Sequence, residues 1–230
     1  MRGASEMTNF VDLYREESII IGILYILVFI VGIFSVSKVI DDSDFLAKSA
    51  TNSRQIKRAA GFQFLMAIFH IAIMVVLYAT LKSHSKELAI GFLSFRILAI
   101  IFTLLGTIVL FSLLRVSQKF IMIPNSDTSG YLSLGNRLKH YRDLINHVGM
   151  IITICLSSVA LYLILLQSEL VPSWISIWGI AGAIIAIFAS TLVATNRLKV
   201  KTTTYMILNI PIALLEIVFS IWLIFNGLML

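Results

Sequence analysis

Residues 88–114 read LAIGFLSFRILAIIFTLLGTIVLFSLL, an apolar run with one charged residue inside it, Arg96. An apolar run longer than about 18 residues predicts a membrane-spanning helix rather than a helix buried in a soluble core. An arginine well inside such a span costs about 2.5–3.5 kcal/mol on insertion scales. Arg96 therefore needs a partner within the membrane, and the identity of that partner decides how the spans pack.

The composition of the whole chain is that of a membrane protein. Hydrophobic residues make up 59% and charged residues 13% of the 230 residues, whereas about a quarter of the residues of soluble domains are charged. No polar stretch is long enough to fold separately, so we predict a single membrane domain over residues 1–230. The net charge of +6 suits basic loops at one membrane face. No basic stretch is interleaved with aromatic residues, so we expect no nucleic-acid partner.

Six apolar runs predict an all-α polytopic bundle of about six transmembrane helices in a prokaryotic plasma membrane, with the lipid bilayer as its first partner. The runs cover residues 18–36, 59–81, 88–114, 140–166, 174–194 and 205–229. We interpret residues 38–58 and 115–139 as loops, the second with turns at Pro124–Asn125 and Ser129–Gly130. The polar N-terminal tail lacks the basic start of a signal peptide, so we expect it to remain in the mature protein.

The distribution of Lys and Arg predicts the orientation. The first, third and fifth connections hold most of these residues, while the other connections and the C-terminus hold few. The positive-inside rule then places the odd connections in the cytoplasm and both termini outside.

Glu216 is the predicted partner of Arg96, because it is the other charged residue deep in a span. At about 1.5 Å per residue, Arg96 and Glu216 lie about 12 Å and about 20 Å from the same membrane face. Two long side chains reach across this difference, so we predict a contact, direct or through water, between neighbouring third and sixth spans. Small and weakly polar residues share the two helical faces concerned, as expected inside a bundle: Ala99, Thr103 and Gly106; Asn209, Ala213 and Ser220.

His70 completes a predicted central polar site with Arg96 and Glu216. It lies near mid-depth of the second span, on one face with Gln63, Ala67 and Met74. A histidine here is either a neutral group hydrogen-bonded inside the bundle or a proton-relay or ligand-binding residue. The Arg96–Glu216 pair is likewise either a structural clamp or part of a substrate or ion pathway.

A second polar face is predicted where the fourth span begins. His140, Asp143 and His147 stand at i, i+3 and i+7 and so share one helical face. Imidazole and carboxylate bind zinc, but polar residues are also expected at a membrane interface, so we predict a solvated face and no metal site. The single cysteine, Cys155, provides no disulfide within the chain, and no cofactor-binding motif is present.

The fifth span carries a face of small residues that favours tight helix packing and would also suit a homodimer. It consists of Gly179, Gly182, Ala183 and Ala186.

Four stretches together resemble a prokaryotic family of small multi-pass membrane proteins, the domain of unknown function numbered four-three-eight-six. They are Phe95-Arg96-Ile-Leu-Ala, Asn146-His147-Val-Gly149, residues 171–182 and residues 216–227. The resemblance implies a bundle of about six helices and brings no known activity. Its members usually carry a glutamate one turn after the arginine, where this chain has Ala99, which favours Glu216 as the partner.

Three functions are consistent with the sequence, and each predicts a different interior. Transport, binding or sensing of an unidentified small molecule or ion predicts a water-accessible cavity that reaches His70, Arg96 and Glu216. An intramembrane enzyme acting on a lipid or quinone predicts a bound metal, with the histidines and Asp143 converging around it. A structural or accessory subunit predicts a dry, fully packed interior.

Overall fold

The structure is a computed structural model that describes residues 2–122, 128–200 and 202–228, with side chains from residue 15 onward. These residues form helices and connections, with no strand among them. The described α-helices are α1 (Arg2–Phe34), α2 (Phe45–Thr51), α3 (Ser53–His84), α4 (Lys86–Phe120), α5 (Ser129–Leu144), α6 (Ile151–Gln167), α7 (Ser173–Ala194) and α8 (Thr203–Phe225). A 3₁₀ turn spans Lys38–Asp41, and a π-helical segment, Ile145–Met150, joins α5 to α6 without a break.

The predicted bundle of six transmembrane helices is confirmed. Among the residues that the structure describes, six segments are long and apolar enough to cross a membrane: Arg15–Phe34, Ser53–His84, Lys86–Phe120, Ser129–Gln167, Ser173–Ala194 and Thr203–Phe225. The last predicted span ran to Met229, which lies outside the described residues, and α8 ends at Phe225.

The spans form a ring in which each packs against two neighbours. The order around the ring is α1, α3, α4, α6, α7 and α8, and α8 closes against α1. Helices α4 and α8 therefore face each other from opposite sides, so the prediction that the third and sixth spans are packed neighbours was wrong. The reason is that Arg96 has its closest partners on α3, α4 and α6, as described below.

Two predicted loops contain helices. In the first connection, α2 packs on α4 and buries Phe45 and Leu46 against Leu110 and Leu113. In the third connection, a helix begins at Ser129, where we had predicted a turn, and the Pro124–Asn125 turn lies outside the described residues. Gly135 lies within this helix despite the low helix propensity of glycine. It allows the helix to approach α2 closely, because a Cβ at this position would lie 2.8 Å from the Leu46 side chain.

The small-residue face of α7 is used entirely within the chain. Ala183 and Ala186 are fully buried, and a Cβ on Gly179 would overlap the Tyr162 ring of α6. A Cβ on Gly182 would lie 3.2 Å from the backbone nitrogen of Ile212 in α8. The predicted tight packing is confirmed, and a homodimer would need another surface.

The two ends of the ring differ in packing. At the closed end, which bears the α3–α4 and α6–α7 connections, a Cβ on Gly22 of α1 would lie 2.7 Å from the Ser220 carbonyl oxygen of α8. The Leu228 N–H donates to Ser18 Oγ at 3.1 Å, tying the chain after α8 to α1. The open end, which bears α2, α5 and the α7–α8 connection, surrounds a cavity.

Candidate functional site

Arg96 is buried in the ring interior, with 1% of its surface exposed. Its Nε–H donates to Ser157 Oγ of α6 at 3.1 Å, and that hydroxyl donates to the Phe92 carbonyl oxygen at 2.9 Å. Nη1 lies 3.5 Å from Nδ1 of His70 on α3, and the guanidinium carbon lies 5.3 Å from the centroid of the Phe92 ring. Nη2 is buried and has no close hydrogen-bond partner among the described residues, although the Tyr25 hydroxyl of α1 lies near enough to interact with the guanidinium.

Glu216 is half-buried on α8, across the ring interior from Arg96. Neither Arg96 nor Glu216 forms an ion pair with a described side chain, so no direct Arg96–Glu216 ion pair is present there. The two charges remain within electrostatic range of each other. The water-mediated form of the contact stays a prediction, as does the role of the three residues.

Two tyrosines lie within electrostatic range of both charges. Tyr25 of α1 and Tyr162 of α6 each meet the Phe219 ring edge-on, at a centroid distance of 5.7 Å. Aromatic pairs of this kind are favourable beyond the area that they bury. The deep polar group, defined here as His70, Arg96 and Glu216, therefore borders a well-packed aromatic core rather than a second charged shell.

A cavity of about 800 Å³ occupies the open end of the ring. Its walls combine apolar side chains with hydrogen-bonding groups from six elements: Gly32, Ser35, Val36, Lys38, Asp41, Gln63, Met66, Thr103, Arg142, Asp143, Asn146, His147, Met150, Val200, Tyr205, Met206, Asn209, Ile210 and Ala213. The deepest of these, Met66, Thr103 and Ala213, stand four, seven and three residues from His70, Arg96 and Glu216 on the same helices. The cavity thus ends about one to two helical turns short of the deep polar group.

The π-helical segment shapes one wall of the cavity. An extra residue per turn shifts the side chains that follow it relative to an α-helix. The Asn146 side chain lies against α4 at Gly106, where an added Cβ would overlap it. His147 Nδ1 lies 3.2 Å from the Tyr205 hydroxyl of α8, with the two rings edge to face. The segment therefore connects α4 and α8 across the open end.

The predicted second polar face is only partly brought together. His140 is exposed outside the cavity, whereas Asp143, one turn further along α5, and His147, within the π-helical segment, line the cavity. The i, i+3, i+7 spacing assumed an uninterrupted α-helix, but the π-helical segment begins between Asp143 and His147. In the described part of the chain, no three His, Cys, Asp or Glu side chains are placed to hold one metal ion. The convergence that the enzyme hypothesis predicts is not seen there.

Sequence reasoning missed Arg142, Asn146 and Tyr205 as cavity residues. Arg142 lies at the start of the fourth predicted span and was not singled out there, although its four-residue spacing to Asn146 places both on one helical face. Gly106 and Gly149 were a further signal, because small residues in a membrane helix allow close helix approach. The structure has such an approach at Gly149, where a Cβ would lie 2.8 Å from the Phe102 ring.

The family model described as Domain of unknown function (DUF4386) matches residues 20–227. The chain belongs to this family. No curated protein and no solved structure matches it. In this DUF4386 protein, the stretches that carry the resemblance include Arg96 of the deep polar group, the π-helical segment, the start of α7 and Glu216. DUF4386 membership thus supports the membrane fold and brings no activity with it.

Proposed function

We propose that this protein binds a small molecule within the membrane, in the cavity at the open end of the ring. The observation that supports this is the cavity itself. Its volume of about 800 Å³ lies within the range of about 300–1,000 Å³ typical of ligand sites. Its walls are mostly apolar with a few converging polar groups, which is the usual composition of such sites.

The deep polar group would extend this site toward the membrane centre. Nη2 of Arg96 is buried with no close hydrogen bond and only the Tyr25 hydroxyl in its vicinity, and buried polar groups of this kind are normally satisfied by a partner, a water molecule or a ligand. A ligand or water chain entering from the cavity would reach it along Thr103. The closed end is tightly packed between α1 and α8, so transport across the membrane would require that end to separate. Binding or sensing requires no such movement.

The test is a thermal-shift screen of metabolites on purified full-length protein with a cavity-filling variant. Ala213→Phe places a ring in the cavity, and Ala181→Phe places the same ring on the exposed face of α7 as a matched control. We expect a stabilising compound to act on the wild type and on Ala181→Phe and to lose its effect on Ala213→Phe. Equal stabilisation of all three proteins would place binding elsewhere and contradict the proposal.

A further inference from the structure

Helices α1 and α8 diverge from the closed end to the open end. They meet at Gly22 and Ser220, where an added Cβ would lie 2.7 Å from backbone oxygen. Toward the open end, Gly32 of α1 and Met206 and Ile210 of α8 line the cavity instead. The two helices thus form a wedge with the cavity at its wide end.

The wide end of this wedge reaches the lipid-facing surface of the protein. Ile210 lines the cavity and is 47% exposed. Its neighbours on the same face of α8, Ile207 and Leu214, are also about half exposed and do not line the cavity. This side of α8 therefore borders both the cavity and the lipid-facing surface.

Arg142 supplies a polar anchor near the headgroup level. Its side chain is 9% exposed, and Nη1 donates to the Asp143 carboxylate at 3.3 Å. Nε is buried and has no partner among the described residues, although the side chain lines the cavity. Asp143 orients the guanidinium and leaves a donor for a ligand oxygen, and a planar guanidinium suits phosphate and carboxylate oxygens.

These observations favour an acidic headgroup attached to an apolar chain. Lys38 lines the cavity together with Asp41, so the positive charge of this end comes from its connections. Most Lys and Arg residues of the connections stand here, which the positive-inside rule places beside the anionic cytoplasmic leaflet. Met66, Met150 and Met206 provide adaptable apolar walls that a soluble phosphate would leave unburied. We propose that the ligand is an anionic lipid, entering sideways between α1 and α8 and held by Arg142. This inference rests on the proposed function and names its ligand class.

The experiment measures the lipid that stays with full-length protein after extraction from vesicles of phosphatidylcholine doped with phosphatidylglycerol. We expect phosphatidylglycerol to be enriched over its share in the vesicle. Arg142→Gln should reduce this enrichment about tenfold, the factor that one charge-assisted hydrogen bond provides. Arg137→Gln, an exposed arginine of the same helix, should leave it unchanged. Enrichment that survives Arg142→Gln would overturn the proposal.

A second pair of variants tests the entrance without altering the anchor. Ile210→Trp fills the gap beside α1 and should reduce phosphatidylglycerol retention, whereas Ile207→Trp, on the outer surface, should not. Equal retention by both variants would contradict sideways entry. Adding soluble glycerol phosphate identifies the source of the headgroup: displacement of the lipid by millimolar glycerol phosphate would overturn the lipid assignment. If no lipid is enriched while Ala213→Phe still abolishes a thermal shift by a soluble compound, the lipid inference fails and the proposed function stands.

Discussion

The closed and open ends of the ring contain the same kinds of helices and differ in what fills the space between them. At the closed end, Leu215, Phe219 and Leu223 of α8 are fully buried against its neighbours. At the open end, Met206 and Ile207 of the same helix are more than half exposed. Leu215, Phe219 and Leu223 thus belong to the core, whereas Met206, near the other end of the same helix, lines the cavity.

The difference shows where the chain places stability and where it leaves room for a ligand. Within lipid, helices associate mainly through close packing of their surfaces, and the small side chains at the closed end permit that packing. At the open end, connecting segments rather than direct α1–α8 contact hold the ring together, among them the π-helical segment between α4 and α8. Variants that alter one end should thus leave the other largely unchanged.

The largest effect is expected from Gly22→Ala. The new Cβ would lie 2.7 Å from the Ser220 carbonyl oxygen and 2.8 Å from the Ile224 side chain, so α1 and α8 must move apart. Overpacking of this kind costs about 1–3 kcal/mol. Thermal unfolding in detergent measures the loss. Gly61→Ala, where nothing lies within 4 Å, is the matched control and should be neutral or slightly stabilising. Equal behaviour of the two variants would show that α1 and α8 are not packed as described.

The sequence was sufficient to predict the six spans and the tight packing of α7, but not the contact of α1 with α8 at the closed end. Apolar length alone predicts the six spans, and the glycines and alanines of α7 indicated correctly that this helix packs tightly. Both predictions depend only on the composition of each segment, so they require no knowledge of which distant residues that segment contacts.

The open end and the surroundings of Arg96 were less predictable, because their geometry depends on residues far apart in sequence. The α6 partner of Arg96 is an example, since Ser157 lies 61 positions away, whereas His70, 26 positions away, was already grouped with Arg96 from the sequence. A weakly polar serine gives no sequence signal that it will meet an arginine. The π-helical segment is a second example, since its one-residue shift follows from packing of Asn146 against Gly106 and cannot be read from periodicity.

A double-mutant cycle on Arg96 tests the boundary between the two ends. We expect Arg96→Met and Ser157→Ala to be coupled by about 0.5–2 kcal/mol, because their side chains share a hydrogen bond inside the ring. The coupling between Arg96→Met and Glu216→Gln should be smaller, since no ion pair joins these residues in the described structure. Unfolding of the detergent-solubilised variants measures both values. A larger coupling energy for Arg96 with Glu216 than for Arg96 with Ser157 would instead support the Arg96–Glu216 contact that the sequence predicted.

The smallest effect is expected at the edge of the open end, where Asp42 and Lys48 form an exposed ion pair. The hydrogen bond from Lys48, together with that from the Asp44 N–H, holds the pKa of Asp42 below its ordinary value. A carboxyl group whose pKa is lowered by folding stabilises the protein above its unfolded pKa of about 3.9 and loses this contribution as pH falls through the folded pKa.

Asp42→Asn should therefore lower the thermal midpoint slightly at pH 7 and have no effect at acidic pH, where the wild-type carboxyl is also neutral. The effect is small because solvent and salt screen exposed pairs, and added salt should reduce it further. Asp44→Asn is the control, since its carboxylate forms no ion pair among the described residues. A deficit of Asp42→Asn that persisted at acidic pH would mean that this pair does not set the pH dependence. Lys38 and Asp41 of the same connection line the cavity. Such a result would also mean that the charges of Asp42 and Lys48 do not help to position these two residues.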